Sequence, residues 1–180
     1  PDVDAFLSAL NTEPLTSITV NPKKSSGHTL EGQSIPWNPD GLYLSERPKY
    51  VMDPHYHAGA YYPQEASSML ARAIIERLSL TSPVLALDLC AAPGGKSIGL
   101  LESLPPHSFL IANEVIKSRT RILIENLRKW GSCNWLPASG HPRAWTKQEE
   151  RFDLILVDAP CSGEGLFRKD GNARKEWSLE

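Results

Sequence analysis

The chain has 180 residues, 41% of them hydrophobic and 22% charged, with a net charge of −2. That is the composition of a water-soluble globular protein with room for one real core and a small appendage. It excludes a membrane-spanning segment, which needs about 20 consecutive apolar residues, and it carries no overall basic footprint for nucleic acid.

Asp4 to Leu10 is a predicted amphipathic helix and Ser17 to Val20 a short strand. Asn21 to Gly27 is a polar loop. Pro39-Asp40-Gly41, between Trp37 and Leu42-Tyr43-Leu44, is a hairpin-turn signal. Residues 1–55 therefore read as a partial α+β appendage, joined by the segment 53–63 to a second domain over 56–180. Pro63-Gln64-Glu65 is expected to open a helix whose apolar residues are Leu70, Ile74 and Leu78, with Ile75 and Met69 beside them.

From residue 84 onward strands and helices alternate. Val84–Cys90 is a predicted strand, and a helix starts at Gly94 or Gly95 and runs to about Leu104. Phe109–Glu114 is a strand, and Lys117–Trp130 a helix stopped by Gly131. Cys133–Leu136 is a weak strand and Phe152–Asp158 a strong one. Such alternation predicts a parallel, doubly wound α/β sheet. The chain starts at Pro1 and ends at Glu180 in a predicted helix, so it reads as a piece of a longer protein, its sheet cut after the fourth strand.

Two strand ends carry the chemistry. In DLCAAPGGKS (Asp88–Ser97), two glycines follow a strand and open a helix, which lets a ligand approach the backbone and the free helix-start amides. Glu114 ends the next strand about 20 residues after Gly94, where an acid can take both hydroxyls of a ribose. In LILVDAPCSGEGL, Asp158, Pro160 and Cys161 leave the sheet together. Gly95-Lys96-Ser97 matches the end of a phosphate-binding P-loop, but Cys90 stands where that loop needs glycine and Pro93 has no amide to donate. Cys90, Cys133 and Cys161 show neither disulfide nor zinc spacing, which fits a reducing cytosol. Asp53, His55 and His57 lack a second ligand cluster, so no metal is expected; they read as loop residues near the site entrance.

LDLCAAPGGKS, NEVIKSRTRILIENLRKWG and FDLILVDAPCSGEGLFRKD, with PQEASSM before them and Trp177-Ser178 after, resemble the Nol/Nop/Sun family of RNA (cytosine-5) methyltransferases, closest to the RsmF-like bacterial ribosomal RNA branch. The resemblance implies a Rossmann-like S-adenosyl-L-methionine-dependent methyltransferase fold. It implies that Cys90, Ala91, Ala92, Pro93, Gly94, Gly95 and Lys96 line the methionine and nucleoside site. Glu114 would hold the ribose, with Arg119 near the adenosine. Asp158 would stand between cofactor and target base, oriented by Lys96, and hydrogen-bond the amino edge of cytosine. Ser139 stands where the family has an acid near the adenine. In this chemistry a thiolate adds to carbon 6 of cytosine so that carbon 5 can take the methyl, and the adduct is then resolved. Cys161 would assist product release; the attacking cysteine belongs to a Thr-Cys motif expected beyond this chain. The expected partner is RNA, ribosomal in the first reading and transfer RNA in the alternative. From a different class, the chain is a cofactor- or RNA-binding module inactive by itself. Arg168, Lys169, Arg174 and Lys175 form a local basic cluster suited to RNA phosphates.

Overall fold

The computed structural model describes residues 2–24, 30–147, 151–161, 164–167, 171–176 and 178. They group into two compact units, one of residues 1–15 and 159–180, the other of residues 16–158. The first holds helix α1 (Val3–Leu10), capped by the Asp2 side chain, which accepts from the Ala5 amide. It also holds a 3-10 turn at Glu164–Leu166 and a short helix at Gly171–Glu176. Cys161 and Lys175 are exposed in this unit. Arg168, Lys169 and Trp177 lie outside the described residues, as does the Arg174 side chain.

The second unit contains two sheets. The first is antiparallel: β1 (Thr16–Val20), β2 (Gln33–Ile35), β3 (Asn38–Leu44) and, after helix α2 (Pro54–Ala58), β4 (Tyr61–Pro63), in the order β2-β3-β1-β4. Ile18, Leu44 and Tyr61 form its inner cluster. The sheet's last strand, β4, lies beyond residue 55 and pairs with β1.

Two expectations fail here. Pro39-Asp40-Gly41 does not turn the hairpin; Pro36 and Trp37 do, and β3 runs through Gly41. On β2, Ser34 faces Leu42 and Ile35 faces Asn38, so residues 39–41 bulge without a β2 partner. A bulge tolerates proline because no ladder donor is needed there. The turn chemistry is real but local: the Asp40 amide donates to Asn38 Oδ1 at 3.1 Å.

The segment after β4 also departs from expectation. Pro63 ends β4 rather than opening a helix; a 3-10 turn covers Ala66–Met69 and helix α3 covers Leu70–Arg77. The stripe Leu70, Ile74 and Leu78 is 48%, 56% and 51% exposed, so it is not the packed face. Of the expected set Met69 and Ile75 are the buried members, and Arg72 is buried with them. Arg72 turns inward because Asp40 (2.6 Å), Glu76 (2.8 Å) and Asn38 (3.2 Å) satisfy its guanidinium.

The second sheet follows the predicted alternation. It consists of β5 (Leu85–Asp88), α4 (Gly95–Ser103), β6 (Phe109–Asn113), α5 (Lys117–Trp130), β7 (Trp135–Ala138) and β8 (Leu154–Leu156). All pairings are parallel, in the order β7-β6-β5-β8. Ile98, Leu100, Leu110, Leu123 and Leu127, all with no exposed surface, make its core. The chain runs from β5 outward to β7 and returns to place β8 on the other side of β5. The strand order thus reverses between β5 and β8, where open α/β sheets bind ligands at the carboxyl ends of their strands.

Candidate cofactor site

The loop from β5 to α4 is shaped by its glycines and by α5. Gly94 has φ +116°, a conformation that side chains resist, and a Cβ there would meet Leu123 and Leu127. Gly95 faces the other way: a Cβ would come within 3.1 Å of both Tyr62 and Gln64. The loop carbonyls are tied to α5. Arg119 Nη2 donates to Ala92 O at 2.8 Å and Asn126 Nδ2 to Pro93 O at 2.9 Å. With its carbonyls held on one side, the loop presents its other side to a cavity of about 210 Å³. Cys90, Ala91, Ala92, Pro93, Gly95 and Lys96 line that cavity, and Asp158 faces them from the end of β8.

Lys96 Nζ donates to Asp158 Oδ2 in an ion pair. Each side chain keeps access to solvent, Lys96 at 26% and Asp158 at 53%. Behind them Asp88 is buried and accepts from Ser97 Oγ at 2.7 Å. Burial pushes its carboxyl up to about 6, opposed by the Ser97 hydroxyl and the Cys90 amide. Its Oδ1 is buried without a hydrogen-bond partner among the described residues. The Cys90 thiol is pushed up as well, first by burial and then by the carboxylates of Asp88, Glu114 and Asp158. It stays a thiol at neutral pH, which makes it a poor nucleophile. Burial also raises the Tyr62 phenol to about 12, so the ring on the cavity wall carries a neutral hydroxyl.

Glu114 stands at the end of β6 as predicted, with its side chain 3% exposed. Its Oε1 accepts from the Ile116 amide at 2.9 Å, and its Oε2 is 3.4 Å from Arg119 Nη1. Arg119 therefore joins Glu114 to the Ala92 carbonyl. Ser139 is exposed just after β7 and, like Glu114, does not line this cavity. His55 and His57 lie in helix α2 rather than in a loop, and the Tyr56 ring between them packs under Lys129 near the C-terminal end of α5. Asp53 is used locally, accepting from the His55 amide and the Tyr61 hydroxyl.

Asn113 is a residue that sequence reasoning missed. It is fully buried, donates to Leu89 O (2.9 Å) and Gly140 O (3.0 Å), and accepts from the Gly140 amide (2.8 Å). It stitches together the loops that follow β5 and β7. Its sequence signals were its place before Glu114 and at the head of the NEVIKS motif.

Two family descriptions match. Residues 77–178 match the 16S rRNA methyltransferase RsmB/F domain, and residues 1–66 match the N-terminal domain of 16S rRNA methyltransferase RsmF. The chain belongs to the RsmB/F methyltransferase family. Its relatives include the ribosomal RNA small subunit methyltransferases F of Shewanella denitrificans, 34% identical over 99% of this chain, and of Cronobacter sakazakii, 33% identical over 98%. The chain spans only 38% and 39% of those two proteins. Among solved structures, a methyltransferase homolog from Pyrococcus horikoshii shares 25% identity at a TM-score of 0.74, covering 93% of this chain and 57% of that one. The crystal structure titled PH0851 superposes at a TM-score of 0.84 with 23% identity, over 99% of this chain and 42% of that one, a likeness of fold. The second sheet of this RsmB/F member is accordingly a Rossmann-like methyltransferase sheet.

Proposed function

We propose that this RsmB/F chain carries the cofactor half of an S-adenosyl-L-methionine-dependent RNA (cytosine-5) methyltransferase that modifies ribosomal RNA in the cytoplasm. The observation that carries the reading is the Lys96–Asp158 pair, set beside the Cys90–Gly95 turn at the β5/β8 switch point. The residues present suit this cofactor. Gly95 lets the loop pack closely against Tyr62 and Gln64 on the cavity wall, where a Cβ would crowd both, and the buried Asp88 Oδ1 behind the loop has no partner among the described residues.

S-adenosyl-L-methionine, when bound, supplies an activated methyl group. The turn Cys90–Gly95 and Lys96 hold its methionyl end, and Glu114 and Arg119 serve its ribose and adenosine, with Ser139 on the adenine side. Asp158 accepts from the amino edge of the target cytosine, and Lys96 fixes the direction of that carboxylate. The thiolate that adds to carbon 6 is assigned to a Thr-Cys motif of the full-length protein, which none of Cys90, Cys133 and Cys161 matches. Cys161 is assigned to resolving the adduct after the carbon-5 proton has left.

Calorimetric titration with S-adenosyl-L-methionine and, separately, with ATP tests the cofactor assignment. Binding of the first alone is expected. Binding of ATP alone would overturn it in favour of a phosphate-binding loop.

A further inference from the structure

Gln64 follows β4 and is fastened to β1 at three points. Its amide donates to Ser17 O (3.2 Å), its carbonyl accepts from Ser17 Oγ (2.6 Å), and its side-chain Oε1 accepts from Thr19 Oγ1 (3.3 Å). The direction of that last bond is set from farther away. Asn38 Oδ1 accepts from Arg72 Nη1 (3.2 Å) and from the Asp40 amide (3.1 Å), both of which can only donate. Asn38 must then turn its Nδ2 to Thr19 Oγ1, at 3.5 Å. The Thr19 hydroxyl, having accepted, has its single proton for Gln64 Oε1. The amide of Gln64 cannot flip without breaking this series, so its Nε2 is committed as a donor.

That donor lies beside Gly95, at the edge of the cavity. Gln64 lines it together with Lys96, Cys90 and Asp158, and a Cβ on Gly95 would lie 3.2 Å from Gln64 Nε2. Among the described residues Nε2 has no acceptor. The antiparallel sheet thus delivers an oriented, unspent amide donor to a site otherwise built by the parallel sheet, next to the Lys96 ammonium.

We propose that Gln64 is a ligand-binding residue whose Nε2 donates to an anionic oxygen of the bound molecules. The inference rests on the methyltransferase reading above. Two sources offer that chemistry: the methionyl carboxylate of the cofactor and a phosphate of the RNA near the target base.

The test uses the natural full-length protein with Gln64→Leu, which keeps the bulk and removes the donor, and Gln64→Glu, which keeps the shape and adds a repelling charge. Affinity for S-adenosyl-L-methionine, KM for the RNA, and Tm are measured for each. A hydrogen bond to a charged group predicts a loss of about tenfold or more for Leu and a larger one for Glu. A loss in cofactor affinity at unchanged RNA KM assigns the carboxylate; a loss in RNA KM at unchanged cofactor affinity assigns the phosphate. Thr19→Val, which frees the amide to flip, should show a smaller loss of the same kind. Unchanged binding in both Gln64 variants, with or without a fall in Tm, overturns the proposal. Wild-type protein that binds no S-adenosyl-L-methionine would instead overturn the functional reading beneath it.

Discussion

Lys96, at the start of α4, pairs with Asp158, at the end of β8, across 62 positions of sequence. The two strands that lead to them, β5 and β8, are hydrogen-bonded neighbours, so the pair closes over the line where the sheet changes direction. Both side chains remain partly exposed, and exposed pairs add little to stability, about 1 kcal/mol at most.

Asp158→Ala and Lys96→Met should each lower methyl transfer at least a hundredfold in the full-length protein while shifting the denaturation midpoint little. Cofactor affinity should weaken in the Asp158 variant. Steady-state kinetics with chemical denaturation of the same samples checks this; wild-type turnover in either variant contradicts the assigned roles.

Arg119 reaches two partners with one guanidinium, Glu114 and the Ala92 carbonyl. Lysine keeps the charge but not the fork. Arg119→Lys is expected to weaken S-adenosyl-L-methionine binding about tenfold, because the loop loses its tie to Glu114 or to α5. Calorimetry reads the change, and unchanged affinity would mean that Asn126 alone holds the loop.

Asp88 titrates in the fold at about 6, above its ordinary 3.8. Between these values the folded state binds more protons than the unfolded chain, so this group makes stability fall as pH rises from about 4 to about 6. The full difference is roughly 3 kcal/mol, and it persists at higher pH. Asp88→Asn removes the titration. The stability of wild type minus that of the variant should therefore decrease by that order between pH 4 and pH 7. A difference that stays flat would contradict the buried, raised carboxyl.

Cys90 is shielded and surrounded by carboxylates, whereas Cys133 and Cys161 are exposed. Alkylation by iodoacetamide at pH 8, followed by peptide mass spectrometry, should label Cys90 slowest of the three. Fast labelling of Cys90 would mean that its thiol ionises readily, against the burial and charge described here.

Cys161→Ala in the full-length protein should accumulate a covalent protein–RNA adduct, visible as a band that survives denaturing electrophoresis. Ordinary product release from that variant would remove Cys161 from its assigned step.

The parallel sheet was legible because its signals are local. Helix α5 runs from Lys117 to Trp130 as predicted, since Gly131 stops it and its apolar period is unbroken. The glycine turn stands where it was expected, while β6 stops one residue before Glu114 and β8 two residues before Asp158, so both acids follow their strands. The antiparallel sheet was harder to read. Pro39-Asp40-Gly41 has turn chemistry but sits in a bulge, because β3 must also pair with β1 up to Gly41. Leu70, Ile74 and Leu78 obey helical spacing yet face outward, because Arg72 finds acids at Asp40 and Glu76 and takes the inner side. Asn113 and Gln64 stood inside quoted motifs, but their roles could not be read because their partners, Gly140 and Thr19, are distant along the chain. Glu114 was found for its position, but its ties to Ile116 and Arg119 only appear once α5 is folded.

The most direct test of the central claim is mass spectrometry of nucleosides from 16S ribosomal RNA incubated with the natural full-length protein and methyl-labelled S-adenosyl-L-methionine. The account predicts labelled 5-methylcytidine, absent when Asp158→Ala is used. Label in any other nucleoside, or in none, would contradict it.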